Sequence, residues 1–447
     1  MKKNKIRLIS ILMSLVLVCG LAACAKDEVV PEASQRVTRE ETSTLPEQET
    51  SQQGATEQES SNKEAPTQEM PSQEESKQEP PEQEEPKYPG MRDITTMELV
   101  KDMGIGINLG NTFESYGDWI EQWGAGGYPS GTVEAYETAW GSPVITKTMI
   151  QGYADEGFET LRVPVHWMNL MSKDYTLSAE YIEAVREVVE WALEADLYVI
   201  INIHHDEDGF FANFATDKEG YMKAYVRVWE QIAEAFKDYD DHLIFEAMNE
   251  EGGWDSIWNR WGGTTGKEKA YGILNEINQA FVNTVRASGG NNEVRHLMIS
   301  GYFTDIELTC DPLFKMPHDS ANRCAVTVHY YTPAGFAILE EDADWGKARS
   351  TWGTEEDFEE LNRLMDKMEA TFVQKGIPVI IGEYGCPINN KEIESIRLFL
   401  TSVCEAALQR DMCPILWDIT DVHYNRTTCK MSDQELKKMY NDISAKY

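Results

Sequence analysis

Two glutamates, each on an apolar run, are the side chains of this chain best placed for chemistry. Glu250 closes the run Leu-Ile-Phe-Glu-Ala-Met-Asn-Glu that begins at residue 243, and Glu383 lies in the run Pro-Val-Ile-Ile-Gly-Glu-Tyr-Gly that begins at residue 378. Both runs are typical of buried strands, where a carboxylate costs free energy unless it is hydrogen-bonded or used. Two such carboxyl groups, brought together from different strands, are the minimum requirement for hydrolysing a glycosidic bond.

Eight short apolar runs predict the elements that must position these glutamates. The runs are 104–110, 160–165, 198–205, 243–250, 296–302, 324–331, 378–385 and 413–419. Most are continuous blocks of Val, Ile and Leu, as expected for strands covered on both faces. The segments between them have helical periodicity, and the clearest are 179–195, 218–237, 268–287 and 355–375. Strand followed by helix, repeated eight times, predicts an α/β fold of the (β/α)₈ TIM-barrel type.

A doubly wound open sheet is the alternative fold. It normally carries a Gly-x-Gly-x-x-Gly turn after its first strand, and that motif is not present there. Polar side chains also collect at the carboxyl ends of the runs, where barrel enzymes carry their sites. These residues are Asn108, Asn111, Arg162, His166, His204, His205, Asn249, Glu250, Tyr302, His329, Tyr331, Glu383, Trp417 and Asp418. Such a series favours the barrel.

Most of the 12 tryptophans are predicted to lie at strand ends or in loops on the same side of the barrel. Only Trp191 and Trp229 fall in predicted helices. The others are Trp119, Trp123, Trp140, Trp167, Trp254, Trp258, Trp261, Trp345, Trp352 and Trp417. Aromatic faces stack on the C–H faces of sugars, so this density suggests a carbohydrate cleft, although about half should pack loops instead.

The N-terminal residues predict export. The chain begins Met-Lys-Lys-Asn-Lys, is apolar from Ile9 to Leu21 and then reads Ala-Ala-Cys. The apolar stretch is too short to span a membrane, so residues 1–23 are interpreted as a signal peptide. Leu-Ala-Ala-Cys is similar to a bacterial lipobox, which implies a lipidated Cys24 at the outer face of a bacterial cell membrane. An ordinary secretory signal or an uncleaved anchor is the alternative.

Composition predicts the organisation of the rest. Residues 24–88 are Glu, Gln, Ser, Pro and Thr with almost no aliphatic side chains, which predicts a disordered linker that acts as a tether. Residues 89–447 are predicted to form the catalytic domain. The formal net charge of −37 argues against nucleic acid and anionic membrane partners, but it leaves neutral polymers unaffected. We expect a monomer that meets the membrane only through its N-terminal lipid.

Six cysteines remain once Cys19 leaves with the signal and Cys24 is lipidated. They are Cys310, Cys324, Cys386, Cys404, Cys413 and Cys429. In an exported protein they can pair, and Cys310 and Cys324 bracket one loop, but the sequence does not fix the pairing. No Cys-x-x-Cys spacing occurs, which disfavours a zinc site.

Several segments match a known pattern in the same order. They are Gly-Ile-Asn-Leu-Gly-Asn-Thr-Phe (106–113), Gly-Phe-Glu-Thr-Leu-Arg-Val-Pro-Val (157–165), Met-Asn-Glu (248–250), Val-His-Tyr-Tyr-Thr-Pro (328–333) and Ile-Gly-Glu-Tyr-Gly (381–385). Together they resemble glycoside hydrolase family 5, the family of retaining cellulases and related β-glycanases. The stretch Glu-Thr-Ala-Trp-Gly-Ser-Pro-Val-Ile-Thr-Lys (137–147) further resembles its endoglucanase and xyloglucanase branch.

The resemblance implies roles for the catalytic pair. Glu250, preceded by Asn249, matches the general acid/base, and Glu383 matches the nucleophile. Arg162 matches the arginine that hydrogen-bonds the nucleophile and keeps it charged. The two carboxyl groups should then lie about 5–5.5 Å apart, the retaining separation.

The resemblance also implies a set of substrate and supporting residues. Asn249 matches the residue that binds the sugar 2-hydroxyl, a contact that strengthens in the transition state. Tyr331 matches the tyrosine that orients the nucleophile, and His329 the histidine near the acid/base. His204 matches a histidine lining the site of the cleaved sugar, and Trp417 the platform under that sugar.

Three further candidates carry less specific signals. His205 lies beside His204, and because neighbouring strand residues point to opposite faces, only one of the two is expected to face the barrel mouth. Asn108 and Asn111 either contact substrate or satisfy the backbone of a turn.

Structural alternatives remain for several charged residues. The sequence His204-His205-Asp206 allows a metal cluster, but no further His-x-His or His-x-x-x-His motif supplies ligands, so we expect neither metal nor cofactor. Arg162 alone is also compatible with a buried ion pair to Glu246. Asp206 and Asp418 are expected to be loop or supporting carboxylates.

The chain departs from the family pattern after its acid/base. Pro-Arg is common there in the family, whereas Glu251-Gly252-Gly253-Trp254 follows here. This changes the loop after the fourth strand and its glycan contacts. The segment 251–265 is expected to form a cleft wall or a lid.

The sequence therefore predicts a retaining endo-β-1,4-glucanase that acts on cellulose-like, mixed-linkage or xyloglucan chains. A β-mannanase or exo-β-glucosidase of the same fold is one alternative. A non-hydrolytic surface glycan-binding protein is another, and the site must decide among them.

Overall fold

The computed structural model describes residues 90–205, 213–252, 254 and 256–447. The predicted signal peptide, Cys24, the linker and Asp206 lie outside the described residues. Among the helices in the described part of the chain, none is both long and apolar enough to cross a membrane.

Eight parallel strands close into a barrel in chain order, with β1 paired to both β2 and β8. The strands are β1 (Gly106–Asn108), β2 (Thr160–Val163), β3 (Tyr198–Asn202), β4 (Leu243–Glu246), β5 (Leu297–Asp305), β6 (Cys324–Tyr330), β7 (Val379–Tyr384) and β8 (Cys413–Leu416). A small hairpin follows, formed by β9 (Tyr424–Asn425) and β10 (Lys430–Met431). The predicted (β/α)₈ fold is confirmed. Every strand of the barrel lies within its predicted run except β5, which continues to Asp305.

Helices surround the barrel. They are α1 (Thr96–Asp102), α2 (Asp118–Trp123), α3 (Val133–Thr138), α4 (Lys147–Asp155), α5 (Ala179–Glu194), α6 (Lys218–Ala235), α7 (Lys267–Ala287), α8 (Ile306–Thr309), α9 (Ala334–Ala337), α10 (Glu355–Thr371), α11 (Ile393–Leu408) and α12 (Gln434–Ser444). Short 3₁₀ turns occupy Gly290–Glu293 and Val373–Lys375. The predicted helix 355–375 ends at Thr371, and its last residues form the second of these turns. The prediction that Trp119 and Trp123 lie in loops is wrong, because both belong to α2.

Side-chain caps explain where the helices begin. The Thr95 hydroxyl accepts from the Glu98 N–H, and the Glu98 carboxylate accepts from the Thr95 N–H, so a capping box starts α1. Thr354 and Asp357 form the same motif at α10. At α5 the Ser178 hydroxyl accepts from the first turn.

The barrel interior is layered. Alternate strand residues point inward. The inward residues near the beginnings of the strands are apolar: Ile200, Ile244, Met298, Ile380 and Ile415. They pack against Leu99 and Val100 of α1 and against Met103 directly after it, so α1 lies against this end of the barrel. Two positions further along the strands the inward residues are polar and buried: Asn108, Arg162, Asn202, Glu246, Ser300 and Thr327. A buried polar layer therefore lies directly beneath the mouth, on an apolar floor.

The six cysteines of the described region are free thiols. The pairing of Cys310 with Cys324 that their spacing allowed is not formed. Cys310 Sγ instead lies 3.5 Å from Met368 Sδ, and Cys324 Sγ lies 3.4 Å from a carboxylate oxygen of Asp319.

Candidate active site

Glu250 and Glu383 meet at the carboxyl end of the barrel, with His329 between them. His329 Nδ1 lies 2.7 Å from Glu250 Oε1 and 3.5 Å from Glu383 Oε2. The register of β6 and β7 places His329 directly opposite Glu383. One donor atom from each of the three side chains lies within 4.8 Å of the other two. The two carboxyl groups are therefore closer than the inverting separation of about 6.5–9.5 Å, as a retaining pair requires.

Arg162 is fully buried and connects the glutamates of β4 and β7. Its Nη1 donates to Glu383 Oε1 at 2.7 Å, and its Nε donates to Glu246 Oε2 at 2.7 Å. Nη1 and Nη2 also donate to the side-chain oxygens of Asn108 and Asn249, at 2.9 and 3.0 Å. Arg162 thus makes both the contact with Glu383 that the resemblance implied and the buried ion pair with Glu246. A guanidinium in hydrogen-bond contact favours the ionised form of a carboxyl group, which a nucleophile requires.

The two asparagines bound to Arg162 differ in what they leave available. Asn108 is fully buried, and its Nδ2 donates to the carbonyl oxygens of Gly382 and Leu416, each at 3.1 Å. It therefore supports Arg162 from within the barrel rather than contacting substrate. Asn249 directs its Oδ1 at Arg162, so its predicted contact with a sugar hydroxyl would use Nδ2.

Tyr331 and His329 are neutral polar partners of the catalytic pair. Tyr331 Oη donates to Glu383 Oε2 at 2.9 Å. Burial, together with the charges of Glu383 and Glu250, raises the pKa of Tyr331 well above its ordinary value, so the phenol keeps its proton. Burial lowers the pKa of His329 to about 4, so its ring is uncharged at neutral pH.

His204 and His205 both lie at the barrel mouth, and the prediction that only one of them would is wrong. Strand β3 ends at Asn202, and His205 has a φ of 53°, so strand alternation no longer applies. The two rings meet edge to face with centroids 4.4 Å apart. Asn202 Oδ1 accepts from the Val165 N–H, which leaves Nδ2 to donate to His204 Nδ1. The ring proton of His204 is therefore on Nε2, and burial lowers the pKa of His204 well below its ordinary value.

Trp417 is a half-buried platform that faces His204. The two rings are nearly parallel, at 6° and a centroid distance of 6.0 Å. The backbone N–H of Trp417 donates to the Tyr384 carbonyl oxygen at 2.7 Å. A Cβ on Gly110 would lie 3.2 Å from the indole and 2.5 Å from the Asp418 carbonyl oxygen, so only glycine permits this approach.

Asp418 lies behind that platform as a buried supporting carboxylate. Its Oδ1 accepts from the backbone N–H groups of His423 and Tyr424, at 2.7 and 3.3 Å. Burial raises the pKa of Asp418 from 3.8 to about 7, although nearby Arg426 opposes this shift.

An aromatic group continues the mouth beyond His205. Tyr116 stacks on His166 with centroids 4.9 Å apart, and Trp140 lies edge-on to both Tyr116 and His205, at 5.6 and 5.8 Å. Asn111 Nδ2 donates to the Trp140 carbonyl at 3.3 Å, so Asn111 supports this group. Sequence reasoning missed Tyr116, although its place in the loop after β1, beside predicted site residues, was a usable signal.

The loop after Glu250 is built around aromatic packing. Trp254 and Trp258 are buried against Tyr302, with ring centroids 6.4 and 5.6 Å apart. Trp261 is 85% exposed, and the Arg260 guanidinium lies over its ring at 4.9 Å. The loop thus has a packed base and one aromatic ring available to a ligand.

The ten tryptophans other than Trp191 and Trp229 divide between packing and exposure. Four are buried: Trp167, Trp254, Trp258 and Trp352. Four are exposed: Trp119, Trp123, Trp261 and Trp345. Trp140 and Trp417 are intermediate, and the exposed and intermediate rings are the ones that can stack on sugars.

Two side-chain groups in the described residues have donor atoms spaced for a metal ion. One is Glu250 with His329 and Glu383, whose atoms are already engaged with one another and with Arg162. The other, Asp240, Asp241 and His242, lies at the opposite end of β4, where Arg92 Nε donates to Asp241 at 2.7 Å. The first arrangement suits proton transfer, and the second is an ion-paired cluster.

A closed (β/α)₈ barrel with two carboxyl groups at the retaining separation on its rim defines the site of a glycoside hydrolase. The model of the cellulase family, glycosyl hydrolase family 5, matches residues 123–422. The chain belongs to this family.

The chain is similar to named proteins from several organisms. A cellulase/esterase from Acetivibrio thermocellus is 36% identical over 332 residues, which cover 74% of this chain but 37% of that protein. A xyloglucan-specific endo-β-1,4-glucanase from Bacteroides ovatus is 34% identical over 365 residues, covering 76% of this chain and 68% of that protein. A broad-specificity endoglucanase from Ruminococcus champanellensis, solved with bound cellotriose, has a TM-score of 0.69 and 33% identity, covering 78% of this chain and 99% of that one.

Proposed function

We propose that this protein is a retaining endo-β-1,4-glucanase that hydrolyses cellulose-like, mixed-linkage or xyloglucan chains. One observation carries the proposal: Glu250 and Glu383 lie on one rim with donor atoms within 4.8 Å, with Arg162 Nη1 paired to Glu383 and His329 Nδ1 in contact with Glu250. A guanidinium beside Glu383 and a neutral imidazole beside Glu250 suit the different roles of nucleophile and acid/base in a double displacement.

The reaction follows from this asymmetry. Glu383 attacks the anomeric carbon while Glu250 protonates the leaving oxygen, which gives a glycosyl-enzyme. Glu250 then takes a proton from water, and the resulting hydroxide equivalent releases the sugar. Arg162 and Tyr331 hold the attacking carboxylate in place, and Asn249 offers its amide to the 2-hydroxyl.

The choice of a β-glucan rests on the rim and on the relatives. Trp417 and the exposed Trp261 give flat apolar faces for glucose units, and the net charge of −37 disfavours polyanions. The relative from Bacteroides ovatus is named for xyloglucan, and the Ruminococcus champanellensis enzyme was solved with cellotriose.

A polysaccharide panel tests the substrate class. Barley β-glucan, xyloglucan, carboxymethylcellulose, xylan and mannan are incubated with the protein, and reducing ends are measured beside viscosity. We expect hydrolysis of one or more of the three β-glucans, with viscosity falling early because cleavage is internal. Glu383→Ala should lose this activity, whereas Glu394→Ala, at an exposed carboxylate, should keep it. Hydrolysis of mannan alone, release of terminal glucose alone, or binding without hydrolysis would each contradict the proposal.

We also propose that the protein is exported and held at the cell surface by a lipid on Cys24. Its support is the N-terminal sequence, with a basic start, a short apolar stretch and Leu-Ala-Ala-Cys. Cys24→Ser should move the protein from the membrane fraction to the soluble or secreted fraction, and an unchanged distribution would contradict the anchor.

A further inference from the structure

Three buried polar atoms surround the position that a side chain would take at Gly382, directly before the candidate nucleophile. A Cβ built on Gly382 would lie 2.7 Å from Thr327 Oγ1, 3.3 Å from His329 Nε2 and 3.5 Å from Glu246 Oε1. Apart from Gly382 and its two neighbours in the chain, these are the three nearest atoms to that position. Among the described residues, none of the three atoms has a hydrogen-bond partner.

Each of these atoms belongs to a side chain that is otherwise fixed. Glu246 and Thr327 are fully buried, and His329 is 7% exposed. Glu246 uses its other oxygen for Arg162, and His329 uses its other nitrogen for Glu250. Glu246 and His329 are therefore held in place by these contacts, and a buried polar atom without a partner is destabilising.

A count of donors and acceptors shows what is missing. His329 is neutral, so one ring nitrogen carries hydrogen and the other accepts. If Nδ1 donates to the Glu250 carboxylate, then Nε2 is an acceptor, as is Glu246 Oε1. The Thr327 hydroxyl can donate only one hydrogen, so two acceptors face one donor. One water molecule balances the count, because it donates to both acceptors and accepts from the hydroxyl.

We propose that a single buried water molecule binds between Glu246, Thr327 and His329, and that this junction selects the His329 tautomer that donates its Nδ1 hydrogen to Glu250. Buried waters typically make about three hydrogen bonds of this kind. The junction completes a chain of hydrogen bonds that runs from Glu250 through His329, the water, Glu246 and Arg162 to Glu383. Thr327 and Gly382 are positioning residues beside this chain, since neither contacts the reacting atoms.

Glycine at position 382 is explained by the same arrangement. A methyl group there would occupy the space that the three polar atoms face, 2.7 Å from the Thr327 oxygen. Gly382→Ala therefore blocks the junction without removing a polar group, and Thr327→Val removes the hydroxyl while keeping the side-chain shape. Thr327→Ser keeps the hydroxyl and is the rescue variant. Thr309→Val is the matched control, because Thr309 is a buried threonine that lies against Gly301 instead.

The first test does not require turnover, so it separates this inference from the proposed function on which its catalytic meaning rests. Nitrogen-15 NMR of the resting protein, with His329 identified by loss of its signals in His329→Asn, reports which ring nitrogen carries hydrogen. We expect the Nδ1–H tautomer in the wild type and in Thr327→Ser, and loss of this preference in Thr327→Val and Gly382→Ala. An Nε2–H tautomer in the wild type would overturn the proposal, because Nε2 would then donate directly to Glu246.

The second test is the pH profile of kcat/KM on the best β-glucan of the panel. The charged and titratable groups around His329 include Glu250, Glu383, Glu246, Arg162 and the neutral His204. A weaker Nδ1 donor destabilises the ionised form of Glu250, so the basic limb should move upward by about 0.5 pH unit in Thr327→Val and Gly382→Ala. Thr327→Ser and Thr309→Val should keep the wild-type limb. Superimposable profiles for Thr327→Val and the wild type would contradict the junction's role.

Discussion

At the scale of single residues, Arg162 organises the site. Burying a guanidinium is costly unless it is paired and hydrogen-bonded, and here two carboxylates and two amide oxygens surround it. Glu246 and Glu383 together outweigh its single charge, so the layer beneath the cleaved sugar carries net negative charge. This suits a transition state with oxocarbenium character, which is positive.

Asp418 gives a prediction about pH and stability. Its folded pKa of about 7 lies above the ordinary 3.8, so the folded protein binds this proton more tightly than the unfolded chain. The resulting stability is complete below pH 3.8 and is lost as pH rises through 7. Asp418→Asn keeps the acceptor for the two backbone N–H groups but cannot ionise, so it should stabilise the fold increasingly with pH, by at most about 4 kcal/mol.

Urea unfolding of wild type and Asp418→Asn at pH 5 and pH 8 measures this effect. The gain in unfolding free energy should be larger at pH 8. Asp442→Asn, at an exposed carboxylate, should give no such difference. An equal gain for Asp418→Asn at both pH values would show that this carboxylate does not titrate as described.

Among the elements, the strands could be predicted from the sequence because each depends on the composition of a single segment. Buried parallel strands are contiguous apolar blocks, so each of the eight predicted runs contains most or all of one barrel strand. Glu250, Glu383 and Arg162 lie on the same side of the barrel because its strands are parallel. The short helix containing Trp119 and Trp123 was missed, since six residues between Gly117 and Gly124 give little periodic signal.

Other features depend on contacts that no single segment reveals. Both histidines after β3 lie at the mouth because the strand ends at Asn202, three residues before the end of the predicted run, and the backbone turns at His205. Thr327 and Glu246 belong to no recognisable sequence motif. Their proximity to Gly382 results from the packing of β4, β6 and β7 inside the barrel. The state of the cysteines likewise depends on distances between elements.

The loop between β4 and α7 gives a prediction about substrate length. Trp261 is 85% exposed on a base fixed by Trp254 and Trp258, so it can stack on a sugar unit without a change in folding. Trp261→Ala should lower kcat/KM on the preferred polysaccharide by about three- to tenfold, the value of one aromatic stack, and leave the melting temperature unchanged. A short aryl cellobioside should be hydrolysed as before.

Trp191→Ala, on the outer helix α5, is the control for this loop. It removes an indole from the last turns of a helix that leads into the beginning of β3, at the end of the barrel opposite the rim, and should leave kinetics on the polymer unaltered. Unchanged polymer kinetics in Trp261→Ala would mean that this ring lies outside the substrate path.

At the scale of the whole molecule, the barrel separates chemistry from stability. The catalytic rim lies at the carboxyl ends of the strands, whereas α1 and the residues before it close the other end. There Arg92 donates to Asp241, Asp102 and the Tyr198 hydroxyl, at 2.7, 3.0 and 2.7 Å. Asp241 is fully buried, so this contact fixes the beginning of the domain to the barrel floor.

Arg92→Ala should therefore destabilise the fold without altering the site. Breaking a buried ion pair costs about 3–5 kcal/mol, and because the Arg92 side chain is 38% exposed we expect about 1–3 kcal/mol. Unfolding in urea measures the loss, and KM should stay at the wild-type value. Lys101→Ala breaks an exposed pair with Asp411 and should cost well under 1 kcal/mol. Equal losses in the two variants would contradict this account of the floor.

If Glu250 and Glu383 act as a retaining pair, the first product must keep the configuration of the substrate at its anomeric carbon. Proton NMR during hydrolysis of a cello-oligosaccharide distinguishes the anomers before they equilibrate. We expect the β-anomer to appear first and the α-anomer to rise only through mutarotation. Immediate release of the α-anomer would rule out a retaining pair, because two successive displacements at the anomeric carbon restore its original configuration.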